Sequence, residues 1–198
     1  MVESKASSSA SNGSVASRRI AIMGFPSVGK SSIAQHFVKG EFPTDYVATI
    51  EDNYDVRFQC FNRQFVLRIT DTAGQQPHSL FPRSCQMNVD GFVLVYAVNE
   101  RESFEILDLV RDKILENYGA MGSEDSSSYP MVLVGNKTDL PPVERKVSPE
   151  EGESKAAEWG IPVEGREKGF LETSATVHDD VSGSCGRDAP AQGRKRLR

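Results

Sequence analysis

The sequence predicts an α/β fold: one domain built on a mostly parallel sheet of about six strands, with helices on both faces. Three observations carry this. A short Ile-rich run, Arg19 to Met23, passes through a glycine loop into a helical pattern. Gly91 to Val98 and Met131 to Gly135 are continuous apolar runs, as strands buried on both faces require. Helical periodicities follow each of these strands, the arrangement that parallel crossovers need.

The elements follow in order. After Arg19 to Met23, Ile33, Ala34, Phe37 and Val38 share one helical face, and Gly40 closes the helix. Tyr54 to Phe61 alternates like a half-exposed strand, and Asn62-Arg63-Gln64 connects it to Phe65 to Thr70 as an antiparallel hairpin. Between the apolar strands, Phe104, Ile106, Leu107, Leu109, Val110, Ile114 and Leu115 recur at helical spacing and end near Gly119. Gly122 to Ser128 is a polar insert, expected to be a surface loop. Ser148-Pro149-Glu150-Glu151 starts a helix with an N-cap residue, a first-turn proline and acidic residues; Gly160 and Pro162 stop it. Gly169 to Thr173 supplies the last strand.

Composition narrows the classes. The chain has 198 residues, 38% of them hydrophobic, and a formal net charge of −5 without a basic cluster in the body, so nucleic acid is not an expected partner. Cys60, Cys85 and Cys185 have neither metal-ligand spacing nor an even disulfide count, which fits a reducing, cytoplasmic setting. The division expected is a disordered Ser-rich leader over 1–17, a globular domain over 18–176 and a disordered tail with a basic end over 177–198.

Three segments carry chemistry. Gly24-Phe25-Pro26-Ser27-Val28-Gly29-Lys30-Ser31 fits the phosphate-binding pattern G-x-x-x-x-G-K-[ST]. Its glycines let successive N–H groups face a β-phosphate, Lys30 adds positive charge, and the Ser31 hydroxyl suits Mg²⁺. The helix that follows sets its positive dipole end beneath the phosphates. Asp71-Thr72-Ala73-Gly74-Gln75 ends an apolar strand. There Asp71 can hold Mg²⁺, Gly74 lets its N–H approach the γ-phosphate, and Gln75 can orient the attacking water. Asn136-Lys137-Thr138-Asp139 chooses the base. The Asp139 carboxylate accepts from N1–H and the exocyclic amino group of guanine, and adenine offers no donors there.

With Tyr46 to Asp52 and Glu172-Thr173-Ser174-Ala175, these segments make the chain resemble a small GTPase of the Ras superfamily over about Arg18 to Thr176. The run from Ser27 to Ser32, with Leu80-Phe81-Pro82 after Gln75, looks most like the Rheb branch. The resemblance implies a P-loop NTPase fold of the Ras-like G-domain type and a switch that hydrolyses GTP to GDP slowly. It makes Gly24, Ser27, Val28, Gly29, Lys30, Ser31, Ser32 and Gly74 phosphate contacts, and Ser31, Thr49 and Asp71 the holders of Mg²⁺. Gln75, Lys30 and Thr49 become the catalytic set. Phe42 stacks on guanine, Tyr46 closes over the phosphates, Asn136, Lys137 and Asp139 hold the base, and Ser174 and Ala175 read its oxygen through backbone N–H groups. A GTPase-activating protein, an exchange factor and an effector, the TOR kinase complex among them, are the implied partners of a monomer.

The chain also departs from that family. Pro26 has no N–H and restricts Phe25, so the phosphate nest rests on Ser27 through Ser31, and Pro26 bears on access of an activating residue. Val47 and Ala48 replace the usual Asp and Pro before Thr49, and Thr176 stands in place of a lysine. Val163 to Lys168 reads as an insertion that loops out. From Val177 onward no amphipathic helix is expected, so the family's final helix is missing and Ile20, Ile22 and their neighbours lose their cover. Marginal stability follows, offset by bound nucleotide. Cys185 lies inside the tail and Lys195-Arg196-Leu197-Arg198 is not C-a-a-X, so prenylation is not expected; a membrane location would require a different carboxyl terminus. The alternative reading is a truncated guanine-nucleotide-binding interaction protein that does not cycle; Asn136 and Asp139 argue against an ATP-using enzyme.

Overall fold

The computed structural model describes residues 15–43, 48–60, 63–119, 129–163 and 168–176. The first strand, β1 (Ala16–Gly24), starts at Ala16 rather than at Arg19, because β3 (Arg63–Thr72) is long enough to pair with it in parallel from Phe65 opposite Ala16. Ala16 and Ser17 therefore belong to the sheet and not to the expected leader. The first helix, α1 (Lys30–Lys39), ends at Gly40, which adopts φ 74° and donates its N–H to the His36 carbonyl at 2.8 Å. Strand β2 (Glu51–Cys60) runs antiparallel to β3, as the alternation predicts. Arg63 and Gln64 pair with Cys60 and Gln59 instead of forming the turn, so the ladder reaches further than the sequence indicated.

The remaining strands and α-helices of the described residues are β4 (Gly91–Ala97), α2 (Arg101–Gly119), β5 (Met131–Asn136), α3 (Pro149–Glu158) and β6 (Phe170–Glu172), with short 3-10 turns at Arg83–Cys85 and Pro142–Glu144. Helix α3 begins with a complete capping box: the Ser148 side chain accepts from the Glu151 N–H, and the Glu151 carboxylate accepts from the Ser148 N–H. Pro149 occupies the first turn, where its missing N–H costs nothing.

The six strands lie in the order β2-β3-β1-β4-β5-β6, and every neighbouring pair except β2 with β3 is parallel. The chain leaves β1 for β3 on one side and β4 on the other, which opens a crevice at the carboxyl end of β1 where ligands of such sheets bind. Gly24 stands at that point. One face of the sheet packs Ile22, Leu67, Ile69, Val95 and Val134 against Val28 of the loop before α1 and Ala34 of α1. The other packs Met23, Phe92, Leu94, Tyr96 and Leu133 against Phe104, Leu107 and Ile114 of α2 and Ala156 of α3. Each fully buried side chain of this size contributes about 1.5 to 3 kcal/mol.

Ile22 is only 4% exposed and Ile20 is half-buried, so the expected loss of cover over these residues is not seen. Neighbouring β3 and α1 bury Ile22 directly. The final-helix question, residues 177–198, lies outside the described residues. So do the leader up to residue 14, the insert 122–128, residues 164–167 of the expected insertion, and Tyr46. The Gly169 N–H donates to the Pro162 carbonyl at 2.7 Å and joins the two ends of that insertion. Among the described residues no helix is long and apolar enough to cross a membrane.

Candidate nucleotide-binding site

The phosphate loop joins β1 to α1 at the sheet's switch point. Ser27 adopts φ 59° and Gly29 φ 96°, so the loop turns through left-handed backbone on both sides of Val28. A non-glycine residue there costs about 1 to 2 kcal/mol, a strain that belongs to ligand-binding loops. Gly29 has a second reason to lack a side chain: a Cβ would collide with the Asn136 amide nitrogen. Gly29 is also the N-cap of α1 and offers no side chain to the first-turn N–H groups, which leaves them to an anion. Lys30 is 5% exposed, with its ammonium donating to the Phe25 carbonyl at 2.8 Å. Burial lowers its pKa to about 8, and the charge of Asp71 opposes that shift.

The three residues expected to hold Mg²⁺ converge. Ser31 and Thr49 share a hydrogen bond of 2.7 Å between their hydroxyls, although eighteen positions separate them. Asp71 is fully buried, and neither carboxylate oxygen has a hydrogen-bond partner among the described residues. Burial pushes its pKa up to about 6; the Ser31 hydroxyl and Lys30 pull the other way, and Asp52, opposite Asp71 in the β2–β3 ladder, adds to the rise. The Ser31 hydroxyl is near enough to favour the carboxylate, yet its well-formed bond goes to Thr49, so the Asp71 oxygens stay unsatisfied. A buried, unpaired carboxylate beside two hydroxyls is an unstable arrangement for the empty protein and a suitable one for a hard divalent cation.

The loop after β3 rests on the phosphate loop. The Gln75 N–H donates to the Gly24 carbonyl at 2.8 Å, and a Cβ added to Gly74 would lie 2.5 Å from the Pro26 Cα. The Gln75 side chain is held within its own loop. It is 4% exposed, and its amide donates to the Ala73 carbonyl at 3.0 Å. Thr72 anchors the strand end by donating its hydroxyl to the Ile22 carbonyl at 2.8 Å.

The base-reading residues gather at the ends of β5 and β6. Asn136 is 2% exposed and ties three segments together. Its amide donates to the Val28 carbonyl at 2.8 Å, and its oxygen accepts from the Ala175 N–H at 3.1 Å. Lys137 takes φ 70°, which turns the chain toward Asp139. The Ser174 hydroxyl donates to Asp139 Oδ1 at 2.6 Å and accepts from the Thr176 N–H at 3.2 Å. Arg145 forms a bidentate pair with Glu172, at 2.6 and 3.1 Å, and so holds the segment after Asp139 against β6.

Of the expected site residues, the fold brings Gly24, Ser27, Val28, Gly29, Lys30, Ser31 and Ser32 together in the loop and first helical turn, sets Thr49 and Asp71 beside them, and gathers Asn136, Lys137, Asp139, Ser174 and Ala175 at the ends of β5 and β6. Phe42 lies past the end of α1, 45% exposed. The Ala175 N–H, expected to read the base oxygen, is directed at Asn136 instead. His36 and Arg145 were missed. His36 is polar beside the apolar Ile33, Ala34, Phe37 and Val38 of α1, yet only 4% exposed, and a polar side chain at a helix position so close to the apolar face was the available signal.

Comparison with known proteins agrees with this geometry. The sequence model of the Ras family matches residues 19–185. The chain is 45% identical over 153 residues to the GTP-binding protein Rheb homolog 1 of Caenorhabditis elegans, covering 77% of this chain and 70% of that protein. It is 38% identical to human GTP-binding protein Rheb, covering 80% of this chain and 79% of the relative. It is 40% identical to mouse GTPase RhebL1, covering 80% and 78%. With the family model spanning the phosphate loop, the Asp71 segment and the Asn136 to Asp139 loop, and with these relatives beside it, the chain belongs to the Ras family, in its Rheb-like branch.

Proposed function

We propose that this protein is a guanine-nucleotide switch that binds GTP and GDP together with Mg²⁺, hydrolyses GTP slowly and signals through the segments around Thr49 and Gln75. The observation that carries the reading is Asp139, aligned by the Ser174 hydroxyl at 2.6 Å and coupled to the phosphate loop through Asn136 and Val28. One ligand that spans both ends of this construction needs a base with two adjacent donors and a phosphate chain. Relatives named as GTP-binding proteins and as a GTPase support it.

Ser31, Thr49 and Asp71 would hold Mg²⁺, which would supply charge neutralisation to the bound triphosphate. Lys30 leaves the Phe25 carbonyl for phosphate oxygen, and its burial strengthens that attraction. The α1 N–H groups bind the phosphates by the same electrostatics. Gln75 orients the attacking water after its amide releases the Ala73 carbonyl, at a cost of about 1 kcal/mol, and hydrolysis stays slow until an activating protein completes the site. Loss of the γ-phosphate removes contacts from Thr49 and Gly74, so hydrolysis releases both segments together.

Ile50 is 90% exposed and Leu80 is 91% exposed, and each follows one of the two responsive segments. Apolar side chains at such positions suit an effector surface, with the TOR kinase complex as the proposed reader, an activating protein to complete catalysis and an exchange factor to reload the site. The protein acts as a monomer on the cytoplasmic side of the cell. The test is base exchange: Asp139→Asn should move the preference from GDP to xanthosine diphosphate, because the amide donates where the carboxylate accepted. An unchanged preference would remove Asp139 from the base site.

A further inference from the structure

The geometry points to His36 as a positioning residue for base discrimination, acting through a hydrogen-bonded relay that starts in α1 and ends on Asp139. His36 Nδ1 lies 2.8 Å from the Ala175 carbonyl, and the ring is buried. A carbonyl oxygen only accepts, so Nδ1 carries the proton and donates. That carbonyl belongs to the peptide whose nitrogen is Thr176. The same peptide's N–H donates to the Ser174 hydroxyl at 3.2 Å, and the hydroxyl gives its single proton to Asp139 Oδ1 at 2.6 Å.

The direction of each bond follows from donor counts. The Ser174 oxygen has one hydrogen and two acceptor sites. With the hydrogen on Asp139, its contact of 2.6 Å with the Thr176 hydroxyl must be one in which Thr176 donates. The relay therefore runs one way, His36 to the 175–176 peptide to Ser174 to Asp139, from a buried start to a partly buried end, and bonds aligned in this sense reinforce one another where the local dielectric is low. His36 fixes the peptide plane from the side opposite to Ser174. Without it, the Thr176 N–H is free to tilt, Ser174 loses an accepted bond, and Asp139 loses its aim at the two donors of guanine.

The placement of His36 gives the relay a fixed base. The helix bearing it starts directly at the phosphate loop, where the Ile33 N–H donates to the Gly29 carbonyl at 2.9 Å. Asn136 closes the ring from the other side through Val28 and the Ala175 N–H. Phosphate and base ends are then held in one register by two routes, one through Asn136 and one through His36.

This inference rests on the guanine reading of Asp139, and the experiment separates the two. Release rates of GDP and of inosine diphosphate, which lacks only the exocyclic amino group, are measured by stopped-flow for wild type, His36→Leu, His36→Gln and Thr176→Val. Wild type should retain GDP longer than inosine diphosphate; if it does not, the guanine reading itself fails. Given that preference, His36→Leu should speed GDP release about two- to tenfold, the scale of one lost hydrogen bond, with a much smaller effect on inosine diphosphate. His36→Gln, whose amide donates from a similar length of side chain, should restore most of the preference. Thr176→Val changes an exposed side chain, so it folds irrespective of the buried site, and it should shift the preference in the same direction. Equal acceleration of both nucleotides in His36→Leu, or an unchanged preference in both His36→Leu and Thr176→Val, would overturn the proposal.

Discussion

Pro26 and Gly74 are in backbone contact: the Pro26 Cα and nitrogen occupy the space, at 2.5 and 2.6 Å, that a side chain on Gly74 would need. The proline that distinguishes this phosphate loop therefore forms the seat for the loop after β3, and the Gln75 N–H bond to Gly24 closes the contact. Gly74→Ala should unseat that loop, at a cost of about 1 to 3 kcal/mol for the overpacking. Hydrogen exchange at the Gln75 amide should quicken. Since the obstruction is largely backbone, adding Pro26→Ala should not restore protection; full restoration would show that only the proline ring was in the way.

The inward Gln75 makes a kinetic prediction. Gln75→Leu should lower single-turnover GTP hydrolysis about tenfold or more, in line with loss of a water-positioning group. The same substitution retains a buried side chain and the Gly24 bond, so thermal stability should change little. A hydrolysis rate equal to wild type would take Gln75 out of the catalytic set.

Asp71 costs the empty protein stability because its carboxylate is buried without a hydrogen-bond partner among the described residues. Asp71→Asn should stabilise the nucleotide-free protein in urea titrations with EDTA, by about 1 to 3 kcal/mol. It should also abolish the slowing of GDP release by Mg²⁺. A less stable empty variant would show that the charge has a structural partner after all.

Cys85 is fully buried, and burial pushes its pKa from 9.0 up to about 11. The native thiol keeps its proton to about pH 11, whereas the unfolded thiol releases it near pH 9. Unfolding therefore releases a proton within that window, and rising pH favours unfolding there. Wild type should lose stability relative to Cys85→Ala between pH 9 and 11, by about 3 kcal/mol at most. Parallel pH profiles would contradict the burial.

The strands and the binding loops were legible because their signals are local. Apolar runs marked β4 and β5, Gly40 marked the end of α1, and the Asn136 to Asp139 loop followed a buried strand at fixed spacing. The interior contacts were less legible. His36 meets Ala175 across 139 positions, and nothing in either neighbourhood announces the pairing. The early start of β1 depends on how far β3 extends, which the hairpin pattern underestimated. Gln75 was assigned by its type and place, and nothing in the sequence announces the bonds that its side chain makes to Ala73 and its backbone to Gly24.

One ligand held at two ends implies a definite nucleotide in the purified protein, and its identity is directly measurable. Chromatography of the acid-released ligand should give GDP with a fraction of GTP, close to one equivalent per chain, and Asp139→Asn should lose it. Recovery of ADP or ATP from the wild-type protein would contradict guanine recognition by Asp139.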